Sequence, residues 1–299
     1  MNAVAQRQGS LRRDEPLARY TSWRVGGPAD RFYEPRDAED LCTFLAELPE
    51  SEPVFLLGLG SNLLIRDGGI RGTVIRTQRA LGHLAAVDGQ RVEAGAGVPC
   101  AKLARYCGRL GLVGAEFFAG IPGTLGGALA MNAGAWGGET WPCVERVETV
   151  DHQGRRRRRG PDDFRIGYRS VEGPAGEWFL GALLRFTPGG DPQGLADRVR
   201  DLLARRAETQ PTGQASCGSV FRNPRGDHAA RLIQSAGLKG TRIGGARVSE
   251  KHANFIINDG NATASDIERL IERVQQRVEA QHGVRLVPEV RVVGEEVQS

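Results

Sequence analysis

GIPGTLGGALAMNAGAWGG, residues 120–138, places seven glycines in nineteen positions and fills the gaps with Ile121, Leu125, Ala128, Leu129, Ala130 and Met131. Glycine at this density works against regular structure, because each one loses more backbone freedom on folding than any other residue. A flexible linker would alternate glycine with serine and other polar residues. An apolar, glycine-dense stretch instead describes backbone packed closely on something flat or charged, with its N–H groups aimed inward. Two readings meet this description. One is a nest of backbone donors against the phosphates of a nucleotide-type cofactor. The other is a tight crossing of loops within a large α/β protein.

Bulk properties narrow the class. The 299 residues allow two or three compact domains, and 40% hydrophobic with 25% charged residues is ordinary for a globular chain with a sizeable core. A net charge of +4 suits an anionic small molecule and is too weak to argue for nucleic acid. The five cysteines (Cys42, Cys100, Cys107, Cys143, Cys217) form no CxxC pair and read as reduced thiols. No signal sequence opens the chain and no stretch reaches a membrane-spanning length, so a cytoplasmic protein is expected.

Working outward from the glycines, residues 1–15 read as a polar, mobile tail. Asp37-Ala38-Glu39-Asp40 caps an amphipathic helix through Leu41, Phe44, Leu45 and Leu48. Val54–Leu57 is a buried strand running into the turn Gly58-Leu59-Gly60-Ser61-Asn62-Leu63, which lacks the third glycine of a Rossmann fingerprint. Short strands follow around 73–76 and 91–94, and Pro99 opens a helix that stops near Gly111. Beyond the glycine stretch, 144–151 and 156–159 form a hairpin turning at Gln153-Gly154. Its arginine run, Arg155–Arg159, carries no interleaved aromatics and reads as a solvated, edge-blunting strand. A strand covers 178–186, and Pro188-Gly189-Gly190-Asp191-Pro192 marks a domain boundary. The last third reads as a polar helix over 195–208, helix 227–235, strand 253–257, helix 263–282 capped by Thr263 and Asp266, and strand 285–293.

Familiar catalytic signatures are absent. There is no Walker lysine loop, no paired histidine spacing for a metal, and no GxSxG elbow around Ser219. Four other segments stand out: RIGYRS (165–170), CGSVFRNP (217–224), VSEKHANF (248–255) and LVPEV (286–290). Taken singly, each has a bland explanation: an arginine ion pair, a turn serine, a surface lysine, an edge glutamate. Glu289 is the most telling, because a carboxylate among buried strand residues is costly unless paired or protonated.

TSWRVGGPAD, LGLGSNLLIRDGG, GIPGTLGGALAMNAGAWGG, GYRS, CGSVFRNP, SEKHANFIIN and PEVRVVG occur in that order. In this ordered set the sequence resembles the UDP-N-acetylenolpyruvoylglucosamine reductase family, from about Pro16 to Gly294. The resemblance implies an α+β fold: a two-subdomain FAD-binding domain of the vanillyl-alcohol-oxidase (PCMH) type, followed by a smaller α+β substrate-binding domain. The implied subdomains are 16–75 and 76–190, with substrate binding in 191–299. Ser170 is followed only by VEGPAGEWFLGALL, so the chain is similar to the subtype that lacks a tyrosine-bearing loop there. Trp136 stands where the family commonly has tyrosine, and Arg222 where it commonly has lysine.

By the same resemblance the reaction is a hydride relay from NADPH to N5 of non-covalent FAD, then to C3 of UDP-N-acetylglucosamine enolpyruvate, with protonation at C2. This completes UDP-N-acetylmuramate for peptidoglycan. Arg169 and Glu289 are implied to stabilise the aci-carboxylate, and Ser219 to supply the C2 proton. The implied FAD contacts are Gly58, Gly60, Ser61, Asn62, Leu63, Gly120, Pro122, Gly123, Thr124, Gly126, Gly127, Asn132, Ala133, Gly134 and Ile166. The implied substrate contacts are Tyr168, Arg222, Asn223 and Lys251. No metal, nucleic acid or membrane enters this scheme, and a monomer is expected. Two other readings make different predictions. A flavin oxidase of a hydroxy acid or alcohol would share the fold, and a nucleic-acid binder built on Arg155–Arg159 would be colourless and salt-sensitive.

Overall fold

The computed structural model describes residues 8–297. They divide into two compact units that are not contiguous in sequence. The first holds residues up to Arg12, Arg31–Gly58 and Gly72–Leu203; the second holds Arg13–Asp30, Leu59–Arg71 and the chain from Ala204.

A four-stranded sheet has the order β1-β2-β5-β3, formed by Ser10–Pro16, Pro28–Glu34, Ile70–Arg76 and Val54–Leu57. Parallel pairing sets Val54 opposite Thr73 and Leu57 opposite Arg76. The tail expected over 1–15 is therefore partly strand: Ser10 onward belongs to β1, and residues 1–7 lie outside the described residues. Helix α1 (Ala38–Glu47) starts as its sequence demands, with the Asp37 side chain accepting from the Asp40 amide at 2.9 Å. Its apolar positions Leu41, Phe44 and Leu45 fall on one helical face and are buried with Tyr33 and Ile75; Phe44 stacks on Tyr33 at 3.7 Å.

The first unit contains a five-stranded sheet in the order β11-β10-β14-β7-β6 (Arg156–Arg159, Val144–Asp151, Glu177–Arg185, Arg91–Gly95, Leu84–Ala86). Helices α2 (Cys100–Arg109) and α3 (Leu125–Met131) pack on it, burying Leu103, Cys107, Leu125 and Leu129 against Val92, Ala94, Ala182 and Leu184. The glycine-dense stretch is thus not purely irregular, since seven of its residues are helical. The arginine run is matched by carboxylates. Arg155 and Arg157 both reach Asp151 at 3.0 Å, Arg159 reaches Glu177 at 2.6 Å, and Arg156 reaches Glu39 at 3.4 Å. The hydrogen bond from Arg159 holds the Glu177 carboxyl below the usual range.

In the second unit, α5 (Ala229–Ser235) and α6 (Ala264–His282) enclose a core that includes Trp23, Leu64, Phe221, Leu232, Ile256, Ile267, Leu270 and Val274. Both Asp67 oxygens accept first-turn amides of α6, from Ala264 and Ser265 at 2.9 Å each, beside the Thr263–Asp266 capping box. The buried Trp23 indole donates to the Ile256 carbonyl at 2.7 Å. A three-stranded sheet in the order β15-β16-β17 (Arg242–Ile243, Ala246–Val248, Ile256–Asn258) and a parallel pair of β4 (Leu63–Ile65) with β18 (Arg291–Val293) complete the unit. Two expected strands shorten. The 253–257 strand pairs only from Ile256, because Asn254 bonds to Val220 and Phe221 instead. The 285–293 strand pairs only from Arg291. Pro288 has no N–H to donate, and the Glu289 and Val290 amides both converge on the Val220 carbonyl.

Candidate active site

The first unit brings the glycine-dense stretch onto the end of β3. A Cβ at Gly58 would lie 2.6 Å from the Thr124 hydroxyl, so a side chain here would have to displace that hydroxyl. At the start of α3, the Leu125 and Gly126 amides donate to the carbonyls of Val98 and Ala96 at 2.9 and 2.8 Å. Those donors serve the protein itself rather than an anion, which corrects part of the nest expected from the sequence. Gly123 is also occupied internally, accepting from the Cys100 amide at 2.9 Å, while Pro122 is exposed. The two adjacent helical glycines differ. A Cβ at Gly126 would press on Ala96 at 3.0 Å, whereas one at Gly127 would meet nothing within 4 Å. Helical glycine costs about 1 kcal/mol relative to alanine, and at Gly127 no protein neighbour explains it. An exposed cradle of this kind fits close approach by a bound cofactor.

Three non-glycine residues beyond α3 adopt left-handed backbone: Asn132 (φ +46°), Trp136 (φ +52°) and Arg169 (φ +53°). Asn132 ends α3 and is buried. Its side chain accepts from the Trp141 amide at 3.0 Å and donates to Glu139 at 2.9 Å and to the Gly167 carbonyl at 3.3 Å. The Ala133 amide donates back to Ala128 at 2.9 Å. Gly134–Ala135 (β8) and Gly138–Glu139 (β9) form a hairpin whose two-residue turn is Trp136-Gly137, with the indole ring lying on Gly120. Arg165–Gly167 (β12) and Ser170–Glu172 (β13) form a second hairpin, turning at Tyr168-Arg169. Arg169 donates to the Gly134 carbonyl at 3.0 Å, so Asn132 and Arg169 tie the two hairpins together from opposite sides. Tyr168 and Ile166 on the second hairpin are exposed.

In the second unit, Gly60 (φ +61°) faces the Tyr20 carbonyl, which a Cβ would strike, and its own carbonyl accepts from the Ser22 amide at 3.1 Å. Ser61 is half-buried and Leu63 opens β4. Asn62 donates to the Glu289 carbonyl at 3.0 Å, and its carbonyl accepts from the Arg291 amide at 3.0 Å. Glu289 is half-buried on a short irregular connection, not in the apolar strand expected. Ser219 follows Gly218 (φ +72°), and the chain after it pairs with the Glu289 segment. Phe221 bridges Pro288, the Glu289 amide donates to Val220 at 2.8 Å, and the Arg222 amide donates to Val287 at 2.9 Å. Arg222 Nε is buried with no hydrogen-bond partner among the described residues. Asn223 caps α5 by accepting from the Ala229 amide at 3.1 Å, and exposed Lys251 donates to the Ala207 carbonyl.

Asn254, buried and bonded to Phe221 on both sides, was missed by sequence reading. A lone amide within HANFII was the available signal, since a buried polar group needs partners. A cavity of about 280 Å³ on the first unit, lined by Ala38, His83, Glu93, Arg146, Glu148 and Arg158 among others, contains none of the predicted site residues. Its mixed charges describe a solvated sheet face. Among the described residues no cluster of three metal-ligating side chains occurs, and no helix is long and apolar enough to cross a membrane.

Residues 29–160 match a family model described as an FAD binding domain, and 210–293 match the UDP-N-acetylenolpyruvoylglucosamine reductase C-terminal domain. Fold and site together define an FAD-dependent oxidoreductase whose α+β FAD-binding domain precedes a smaller α+β domain. A UDP-N-acetylenolpyruvoylglucosamine reductase of Alkalilimnicola ehrlichii is 66% identical over 287 residues, covering 96% of each chain. That of Methylococcus capsulatus is 60% identical, covering 98% of this chain and 96% of its own. The crystal structure of the Thermus caldophilus reductase superimposes with a TM-score of 0.79 at 33% identity, covering 95% of this chain and 98% of its own. This chain belongs to the UDP-N-acetylenolpyruvoylglucosamine reductase family.

Proposed function

We propose that this protein reduces UDP-N-acetylglucosamine enolpyruvate to UDP-N-acetylmuramate with NADPH, acting as a cytoplasmic monomer in peptidoglycan precursor synthesis. Gly58, Thr124 and Gly127 would hold FAD against the glycine-dense stretch, and Gly127's open cradle supports that fit. Bound FAD supplies the hydride carrier between NADPH and C3 of the substrate.

The protein's own part is orientation, charge stabilisation and proton delivery. As C3 receives hydride, electron density moves through C2 onto the substrate carboxylate. The planar Arg169 guanidinium binds that carboxylate through two donors, and its anchored turn pre-orients the fork. Glu289 assists either as a protonated acid or through a bridging group, since two bare carboxylates would repel. The Ser219 hydroxyl gives its proton to C2, and the resulting alkoxide regains one from solvent. Tyr168, Arg222, Asn223 and Lys251 bind the substrate, Arg222 and Lys251 through their charge at the diphosphate. Residues 16–75 and 76–190 act as the FAD-binding subdomains and 191–299 as the substrate-binding domain. Only Gly173–Gly176 separate β13 from β14, which supports the loop-lacking subtype.

The observation carrying this reading is the pairing of the Ser219 and Glu289 segments: a hydroxyl and a carboxyl on two strands of chain locked in register. The test is an anaerobic spectral titration of the purified protein. Bleaching of the flavin by NADPH and recovery of colour on adding UDP-N-acetylglucosamine enolpyruvate are expected. Bleaching without recovery would move the protein to a flavin oxidase of another substrate.

A further inference from the structure

Asn254 is 2% exposed and carries no charge to bring to a ligand, yet both its amide oxygen and its amide nitrogen are bonded within the protein. Its Oδ1 accepts from the Phe221 amide at 2.9 Å, and its Nδ2 donates to the Phe221 carbonyl at 2.8 Å. Its own carbonyl accepts from the Val220 amide at 2.9 Å. The side chain therefore pairs with Phe221 as a neighbouring β-strand would, two residues after Ser219. The Val220 carbonyl passes the constraint on, accepting from the Glu289 and Val290 amides at 2.8 and 3.4 Å. No other side chain of this length offers a donor and an acceptor in one plane. Aspartate keeps only the acceptor, and leucine keeps only the volume.

We propose that Asn254 is a positioning residue: its two-bond clamp on Phe221 sets the Ser219 hydroxyl relative to Glu289 and so controls proton delivery to the substrate. The inference rests on the proton-donor reading of Ser219 given above. A clamp that only maintained the fold would weaken every step alike. A clamp that places Ser219 affects the half-reaction in which Ser219 acts and leaves reduction by NADPH alone.

The test uses the FAD-loaded full chain as Asn254→Leu and Asn254→Asp, with Ser219→Ala in parallel, in anaerobic stopped-flow measurements of both half-reactions. Flavin reduction by NADPH is expected within about twofold of the parent protein. Reoxidation by UDP-N-acetylglucosamine enolpyruvate should slow about 100-fold in Asn254→Leu, the scale of an ångström's misplacement, and about tenfold in Asn254→Asp. A solvent deuterium isotope effect on reoxidation should grow in both variants as proton transfer becomes limiting. Equal slowing of both half-reactions, or of neither, would overturn the proposal. Should Asn254→Leu fail to retain FAD, Asn254→Asp decides alone by the same split. If Ser219→Ala reoxidises at the parental rate, the proton-donor reading fails; if it is blocked while the Asn254 variants are unimpaired, only the clamp fails.

Discussion

Arg169 turns its hairpin with left-handed backbone, φ +53°. A non-glycine residue in the left-handed region costs about 1–2 kcal/mol, which must be repaid by the surroundings. Here the hydrogen bond to the Gly134 carbonyl and the adjacent Tyr168 ring, 5.6 Å from the guanidinium carbon, hold the strained turn. A turn needing only that conformation would be met by glycine, so the arginine is retained for its side chain. Arg169→Lys keeps the charge and loses the planar fork. Its kcat/KM for the enolpyruvyl substrate is expected to fall about 100- to 1,000-fold, the usual cost of losing one pre-organised oxyanion donor. Steady-state kinetics at saturating NADPH would measure it, and a loss under about tenfold would remove Arg169 as the carboxylate stabiliser.

At the scale of elements, α3 separates structural glycine from functional glycine. Gly126 is crowded by Ala96, whereas Gly127 is unconstrained by the protein. Gly127→Ala is therefore expected to raise the stability of the apoprotein by about 0.5–1 kcal/mol through helix propensity, read as a higher urea midpoint with an unchanged slope. The same substitution should weaken FAD binding, measured by flavin titration, because the added methyl enters the space the cofactor approaches. Unchanged affinity would place the cofactor elsewhere.

For the whole molecule, burial of the thiols makes a prediction about alkaline pH. Burial pushes Cys100, Cys107 and Cys217 up to about 12 and Cys143 to about 11, and it raises Cys42 as well. An unfolded thiol ionises near 8.5, so the unfolded chain releases protons at a pH where the folded one does not. The thiols' contribution to stability is whole below about pH 8.5 and is lost as pH rises toward the folded values. Urea midpoints should fall steadily above pH 9. Iodoacetamide at pH 8 should leave Cys42, Cys100, Cys107 and Cys217 almost unlabelled in the native protein and modify all five thiols after unfolding. Rapid native labelling of Cys42, Cys100, Cys107 or Cys217 would contradict their burial.

Local chemistry made much of this legible. Asp37 and Thr263 sit where α1 and α6 begin, Pro99 and Gly111 bracket α2, and Gln153-Gly154 turns the arginine hairpin, because caps and tight turns depend on residues a few positions apart. The ordered motifs carried the family, and with it the choice of Arg169, Ser219 and Glu289. By contrast, the sequence read Glu289 into a buried strand, and periodicity could not show that Pro288 and the shared Val220 carbonyl would break the ladder there. The division of the chain into interleaved units, the Asp67 cap on α6, the left-handed Arg169 and the Asn254 clamp were decided only by tertiary structure. Each depends on partners distant in sequence, or on a turn whose strain is held by them. Propensity and spacing carry no record of which distant carbonyl an amide will find; packing selects it.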